Sequence, residues 1–228
     1  MGYRFSFSYS SWELWKKCPA AYKYARIDKI ETPEPPAFKK GREVHTAMEH
    51  YITGKRDTRP PEAADFSVMV DYLREWPEER KLVEQQMAFD RKQRPCAWFG
   101  PNTYARYIWD VAVLDDPKAP VEIDMVDWKT GKPRPGKNAE QMQLFSIPAF
   151  LLYPSLQKFR THLVYLEHAE VESQTYTREQ FEGGLNDLWR GNAAMMESDQ
   201  SFTARPSQQA CRFCDFHAKR GGPCPVGA

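Results

Sequence analysis

Between Tyr104 and Lys129 the sequence is built to fold back on itself. Two runs, Tyr104–Leu114 and Val121–Lys129, are rich in Val, Ile, Tyr and Trp, residues that suit a pleated, half-buried strand. Between them stands Asp115-Asp116-Pro117-Lys118-Ala119-Pro120, a concentration of turn formers. The pattern predicts an antiparallel hairpin and so puts a sheet at the centre of the fold. Further strands are expected at 81–89, 159–167 and 170–177. Helices are expected at 10–17, 20–25, 40–51, 65–76, 138–152 and 177–196. Ser10 and Glu13 have the spacing of a capping box, Thr177 is a candidate cap, and Pro148 should kink or interrupt its helix. The stretch ETPEPPA at 31–37 reads as a loop. This order predicts an α/β or α+β core, one mixed sheet flanked by helices.

The second hairpin strand ends in Asp127-Trp128-Lys129-Thr130-Gly131-Lys132. Residues two apart on a strand share a face, so Asp127 and Lys129 project together and Trp128 points away. A carboxylate beside an ammonium at a strand end can hold a divalent metal and a water together. Taken alone, such a pair is more often a surface salt bridge. Asp110 sits in otherwise apolar company, Ile108-Trp109-Asp110-Val111, and a buried carboxylate needs a partner. Folding the hairpin about 117–118 places Asp110 opposite 125–126, one position from Asp127. Glu122 and Asp124 have the opposite parity and belong to the other face. His45, on a helix opened by Gly41, and Gln141, on the helix after the strand, are further candidates for metal, water or phosphate contact.

Net charge is +1, so nucleic-acid binding would have to come from local basic stretches: 16–17, 39–42, 91–94 and 129–137. No run approaches the ~18 apolar residues of a membrane span, and no charged leader precedes an apolar stretch, so a cytoplasmic protein without a membrane partner is expected. Cys211-x2-Cys214, Cys224 and Cys18 offer four thiolates, which by count suit zinc or an iron–sulfur cluster equally. His217 is a substitute ligand and Cys96 is left over. No Gly-x4-Gly-Lys-Ser/Thr motif is present, so no helicase motor is expected.

Taken in order, these pieces resemble the PD-(D/E)XK nuclease superfamily, and within it the RecB/AddB-like branch of CRISPR-adaptation iron–sulfur nucleases and phage exonucleases. Ser8-x-Ser10 with Leu14 and Cys18-Pro19 looks like the family's opening helix. Gly41-x3-His45 is similar to its histidine motif. Asp110 falls where its first metal-binding aspartate is expected. Asp127-Trp128-Lys129-Thr130-Gly131-Lys132 is close to its Asp-aromatic-Lys-Thr-Gly-Lys signature. Gln141 to Phe145 stands where the family has Gln-x3-Tyr. The sequence departs from the pattern at Tyr107-Ile108-Trp109, where a glycine is common, at Phe145 in place of tyrosine, and at Pro148.

The resemblance implies a restriction-endonuclease-like fold in a single domain, 1–228, with the nuclease core at 40–200. It implies Mg²⁺ or Mn²⁺ held by His45, Asp110 and Asp127, with Lys129 catalytic and Gln141 positioning substrate. Arg42, Lys132, Arg134 and Lys137 are then the expected DNA contacts. In that branch Cys18, Cys211, Cys214 and Cys224 would hold a [4Fe–4S] cluster, with Zn²⁺ as the alternative, clasping 1–30 to 201–228. The implied activity is a metal-dependent exonuclease on DNA, single-stranded or with free ends, in recombination, repair or phage DNA processing. A helicase or recombination partner would accompany it, in the cytoplasm (the host's, if phage-encoded). Two other readings are a CRISPR-adaptation nuclease trimming spacers and a catalytically inactive DNA-binding or scaffold subunit.

Overall fold

The computed structural model describes residues 5–134 and 136–226. In chain order its helices and strands begin with α1 (Tyr9–Lys17), α2 (Pro19–Tyr22), α3 (Pro36–Ile52) and α4 (Ser67–Glu75). The sheet strands β1 (Lys81–Phe89), β2 (Ala105–Leu114) and β3 (Glu122–Lys129) follow. Then come α5 (Ala139–Leu152), β4 (Lys158–Tyr165), β5 (Glu170–Thr177), α6 (Arg178–Gln180), α7 (Asn186–Ser198) and α8 (Gln208–Cys211). The chain divides into two compact units, one of Glu34–Asn186, the other of Met1–Pro33 with Asp187–Ala228.

The Glu34–Asn186 unit is a mixed α+β fold on a five-stranded sheet in the order β1-β2-β3-β4-β5. All neighbours are antiparallel except β3 and β4. A parallel step needs a crossover, and α5 supplies it. The hairpin register differs by one residue from the sequence expectation. Val111 pairs with Val126, which brings Asp110 level with Asp127. The turn is centred later because two aspartates hold it from within. Asp116 Oδ1 accepts from the N–H groups of Lys118 and Ala119 at 2.8 and 2.9 Å, and Asp115 Oδ1 accepts from that of Val121 at 3.0 Å.

The helix α3 begins at Pro36, inside the stretch expected to be loop; a proline is well tolerated in a first turn. Its buried stripe of Val44, Met48, Tyr51 and Ile52 packs with Val70 and Leu73 of α4 over Val111, Val126, Trp128 and Val164. Each such side chain contributes roughly 1.5–3 kcal/mol on burial, which holds α3 against β2 and β3. Lys81, with a side chain wholly removed from solvent, donates to the carbonyls of Ile52 at 3.3 Å and Arg74 at 3.1 Å and pairs with Glu78 at 2.7 Å. Its ammonium thereby sits at the carbonyl ends of α3 and α4, where a cation is favoured.

The helix α5 runs through Pro148 without the expected interruption. It is buried on most sides, and the Phe145 carbonyl accepts from Trp109 Nε1 at 3.1 Å; packing outweighs the missing N–H. The helix expected at 177–196 is instead split. Thr177 and Gln180 form a capping box, but a wide turn at Phe181–Leu185, with Gly184 at φ 124°, separates α6 from α7.

In the other unit the cap of α1 is Ser8, whose Oγ accepts from the Ser11 N–H at 3.3 Å, two residues earlier than the expected Ser10. Trp12 stacks on Trp15 at 5.5 Å, and both Phe7 and Trp12 lie 6.2 Å from Trp189. Trp15 Nε1 donates to Asp199 at 2.9 Å. Near the C-terminus, Gly222 lies against the backbone of Phe216 so closely that a Cβ would stand 2.2 Å from the Phe216 carbonyl carbon. Only glycine fits there.

Candidate active site

The hairpin, α3 and α5 bring one charged cluster together in the Glu34–Asn186 unit. Asp110 and Asp127 are 8% and 6% exposed, on strands otherwise filled with apolar side chains. Asp110 Oδ2 accepts from the Trp128 N–H at 2.9 Å and lies 3.1 Å from His45 Nδ1. His45 Nε2 donates to the Trp128 carbonyl at 2.8 Å. One aspartate oxygen and one histidine ring thus grip the backbone of residue 128 on both sides, which locks α3 to the strand end. The approach is close: a Cβ on Gly41 would meet Thr130 Oγ1 at 3.4 Å.

With both ring nitrogens facing oxygens, His45 holds its proton. Burial pulls its pKa down, but Asp110, Asp127 and the Trp128 carbonyl outweigh it and lift the pKa to about 9. Burial pushes the Asp127 carboxyl up, Lys129 opposes that, and the Asp110 charge adds to it. Lys129 Nζ stands 2.6 Å from Asp127 Oδ2 and donates to Gln141 Oε1 at 2.9 Å. Burial lowers the Lys129 pKa and the Asp127 charge more than offsets it, so this ammonium stays charged.

One residue of the cluster carries no motif in the sequence. Glu84, on β1, offers a carboxylate whose ligand atom lies with those of His45 and Asp110, all within 4.8 Å of one another. Its backbone has φ 48°, a conformation costly for a residue with a side chain and frequent at functional sites. Val83 pairs with Val111 and Gln85 with Trp109, so Glu84 sits across from Asp110. Burial first, and the Asp110 charge second, raise its pKa to about 7. The only sequence signal was an acidic residue in a strand paired to the one bearing Asp110, visible once that pairing is known.

The cluster fits a divalent cation on its own chemistry. Among the described residues, buried Asp127 Oδ2 has no partner in hydrogen-bond geometry, and the Lys129 ammonium stands 2.6 Å from it. Three carboxylates, Glu84, Asp110 and Asp127, meet only two cationic side chains, His45 and Lys129, and an excess of negative charge in a buried site is costly. His45, Glu84 and Asp110 would hold the ion, with Asp127 beside them. Such an ion supplies Lewis acidity toward a phosphoryl oxygen and acidifies water. Lys129, charged and fixed between Asp127 and Gln141, is placed to offset negative charge developing on a phosphoryl group.

Arg42, Lys132, Arg134 and Lys137 are exposed, and Arg42 forms a two-pronged pair with Glu34. Asp124 is bound instead to Arg160 and His162. In the other unit, Cys224, Cys18 and Cys214 pack in one cluster with Ala21 and Phe216, and the Cys214 N–H donates to the Cys211 carbonyl at 3.1 Å. Among the described residues, no three cysteine sulfurs all lie within 4.8 Å of one another.

No curated relative matches the chain. Among solved structures, the crystal structure of SSO0001 is similar over 99% of this chain and 88% of that one, with 12% identity and a TM-score of 0.49. The model of the PD-(D/E)XK nuclease superfamily matches residues 6–218, nearly the whole chain, and so this chain belongs to that superfamily of metal-dependent nucleases.

Proposed function

We propose that the protein is a DNA exonuclease of the RecB/AddB-like branch, using Mg²⁺ or Mn²⁺. The observation that carries the reading is the convergence of His45, Glu84, Asp110, Asp127, Lys129 and Gln141 at one end of the sheet. Asp110, Asp127, His45 and Glu84 hold the cation. Lys129 stabilises charge on the scissile phosphate and orients the attacking water, and Gln141 positions the strand. The exposed Arg42, Lys132, Arg134 and Lys137 contact DNA phosphates, which makes affinity fall with salt. The chain acts as one nuclease domain and works beside a helicase or recombination partner in the cytoplasm; among the described residues no helix is long and apolar enough to cross a membrane.

Cys18, Cys211, Cys214 and Cys224 hold a [4Fe–4S] cluster in this reading. Support comes from the packing of three of them together and from the turn that joins Cys211 to Cys214. Visible absorbance with four irons per chain is expected; a colourless protein containing zinc would replace the cluster with the other metal.

The test is cleavage of end-labelled linear DNA, single- and double-stranded, beside a closed circle, with Mn²⁺ and with chelator. Metal-dependent loss of linear substrates with an intact circle is expected, and Lys129→Ala should abolish it. Near wild-type activity in that variant would sink the mechanism. Cutting of the circle would make the enzyme an endonuclease, and binding without cutting would favour an inactive scaffold subunit.

A further inference from the structure

The loop between β1 and β2 carries chemistry that the proposed hydrolysis does not use. Phe99 is 85% exposed, an unfavourable place for an aromatic ring unless something covers it. Its ring lies 6.4 Å from that of Trp98, edge to face. The Arg106 guanidinium lies 5.3 Å from the Phe99 ring and 5.5 Å from that of Trp98. In the same segment Arg91 is stacked 4.6 Å from Tyr104. From residue 90 to 106 four basic residues, Arg91, Lys92, Arg94 and Arg106, face a single acidic one, Asp90. A chain of net charge +1 has concentrated cations in the segment that carries an exposed aromatic ring and its half-buried neighbour.

The loop is also built to hold that pair in place. Thr103, itself buried, donates through Oγ1 to the Ala97 carbonyl at 2.7 Å and accepts from the Gly100 N–H at 3.0 Å. Arg106 Nε donates to the Trp98 carbonyl at 2.9 Å. The Cys96 N–H donates to the Ala88 carbonyl at 2.9 Å. Gln93 and Asn186 exchange amide hydrogen bonds at 2.6 and 3.0 Å. A loop backbone on so many tethers loses little freedom when something stacks on the ring it carries, which favours binding.

We infer that Phe99, backed by Trp98 and Arg106, is a base-stacking platform for single-stranded nucleic acid. Every base has a π face, and aromatic rings interleaved with cations are how single strands are held without regard to sequence. A duplex keeps its bases stacked inside and offers the platform nothing comparable. The platform sits on the hairpin that also carries Glu84 and Asp110. The last paired rung, Phe89 with Ala105, is five residues from Glu84, or ~17 Å at ~3.3 Å per residue. The loop runs on from that rung to Phe99, off the end of β2 toward which β3 carries Lys129, so a single strand held on Phe99 and laid along β1 and β2 would lead to the acidic cluster. This inference rests on the nuclease reading above and names its substrate, single-stranded ends.

The experiment measures binding of the full chain to a labelled thymidine strand of about twelve nucleotides and to a duplex of equal length, in chelator at one fixed salt concentration. Phe99→Ala should weaken single-strand binding about 5- to 100-fold and leave duplex binding nearly unchanged. Phe99→Trp should bind the single strand at least as well as wild type. Because Phe99 is exposed, neither variant should shift the melting temperature. Undiminished single-strand binding by Phe99→Ala would overturn the inference. So would equal losses on both substrates, or a wild type that ignores single strands and leaves the patch to a protein partner. Wild type that binds through Phe99 yet cleaves nothing with Mn²⁺ would overturn the nuclease reading and leave the platform standing.

Discussion

Replacing Asp110 by Asn keeps the shape of the cluster and removes one charge, which isolates what that charge does to His45. In the metal-free protein Asp110 Oδ2 accepts from both Trp128 and His45, and an asparagine oxygen can take both bonds. The charge is what outweighs burial and lifts His45 to about 9. The distance from the ordinary 6.5 is worth ~3 kcal/mol, at about 1.36 kcal/mol per tenfold change in proton affinity. A histidine whose folded pKa is raised stabilises the fold fully below about 6.5. That contribution then drains away as pH rises through about 9. Metal-free wild type should therefore lose about 6–12 °C of melting temperature between those pH values from this group, at roughly 2–4 °C per kcal/mol for a chain of this size. Asp110→Asn should lack that slope, and its His45 should titrate near or below 6.5 because burial then prevails. The assays are thermal melts in chelator across pH and titration of the His45 ring by NMR. With Mn²⁺ the wild-type slope should reverse, since the cation takes the place of the proton. Parallel slopes in the two proteins, or a His45 in Asp110→Asn that still titrates near 9, would refute the reasoning.

Other outcomes follow from neighbouring features. Glu84→Gln should raise the metal-free melting temperature above pH 7, because the unfolded state no longer gains from ionising a carboxyl held at about 7, and calorimetry should find Mn²⁺ affinity lowered about tenfold or more. Asp124 is held at about 2, burial opposing and His162 and Arg160 prevailing. Its side chain is 33% exposed, so its share of stability, discounted to ~1 kcal/mol, should be present above pH 3.8 and lost as pH falls through about 2, absent in Asp124→Asn. Gly222→Ala should destabilise the unit of Met1–Pro33 with Asp187–Ala228 by over ~1 kcal/mol, since its Cβ would collide with the Phe216 backbone; an unchanged melting temperature would contradict this.

The central hairpin was legible because turn chemistry and β-rich flanks agree. Its register was off by one because aspartates 115 and 116 cap the turn through side-chain bonds that residue counting does not see. Asp110, Asp127 and Lys129 could be named from parity and motif, and the structure places Lys129 on Gln141 and Asp110 on His45. Glu84 was invisible, since it enters through strand pairing and a left-handed backbone that no local pattern announces. Ser10 and Ser8 are equally good caps by type, and only the chain's path chooses Ser8. Pro148 does not interrupt its helix because propensity yields to burial in a helix packed on most sides.

The division of the chain has a consequence during synthesis. Phe7, Trp12 and Trp15 belong to a unit whose other half, with Trp189 and Asp199, begins only at Asp187. Between the halves the ribosome must make all of Glu34–Asn186, which at ~5–20 residues per second takes ~10–30 s. Through that interval the first tryptophans wait outside the tunnel without their cover, an apolar stretch for a chaperone to hold until the last strand of sheet is finished and the tail arrives.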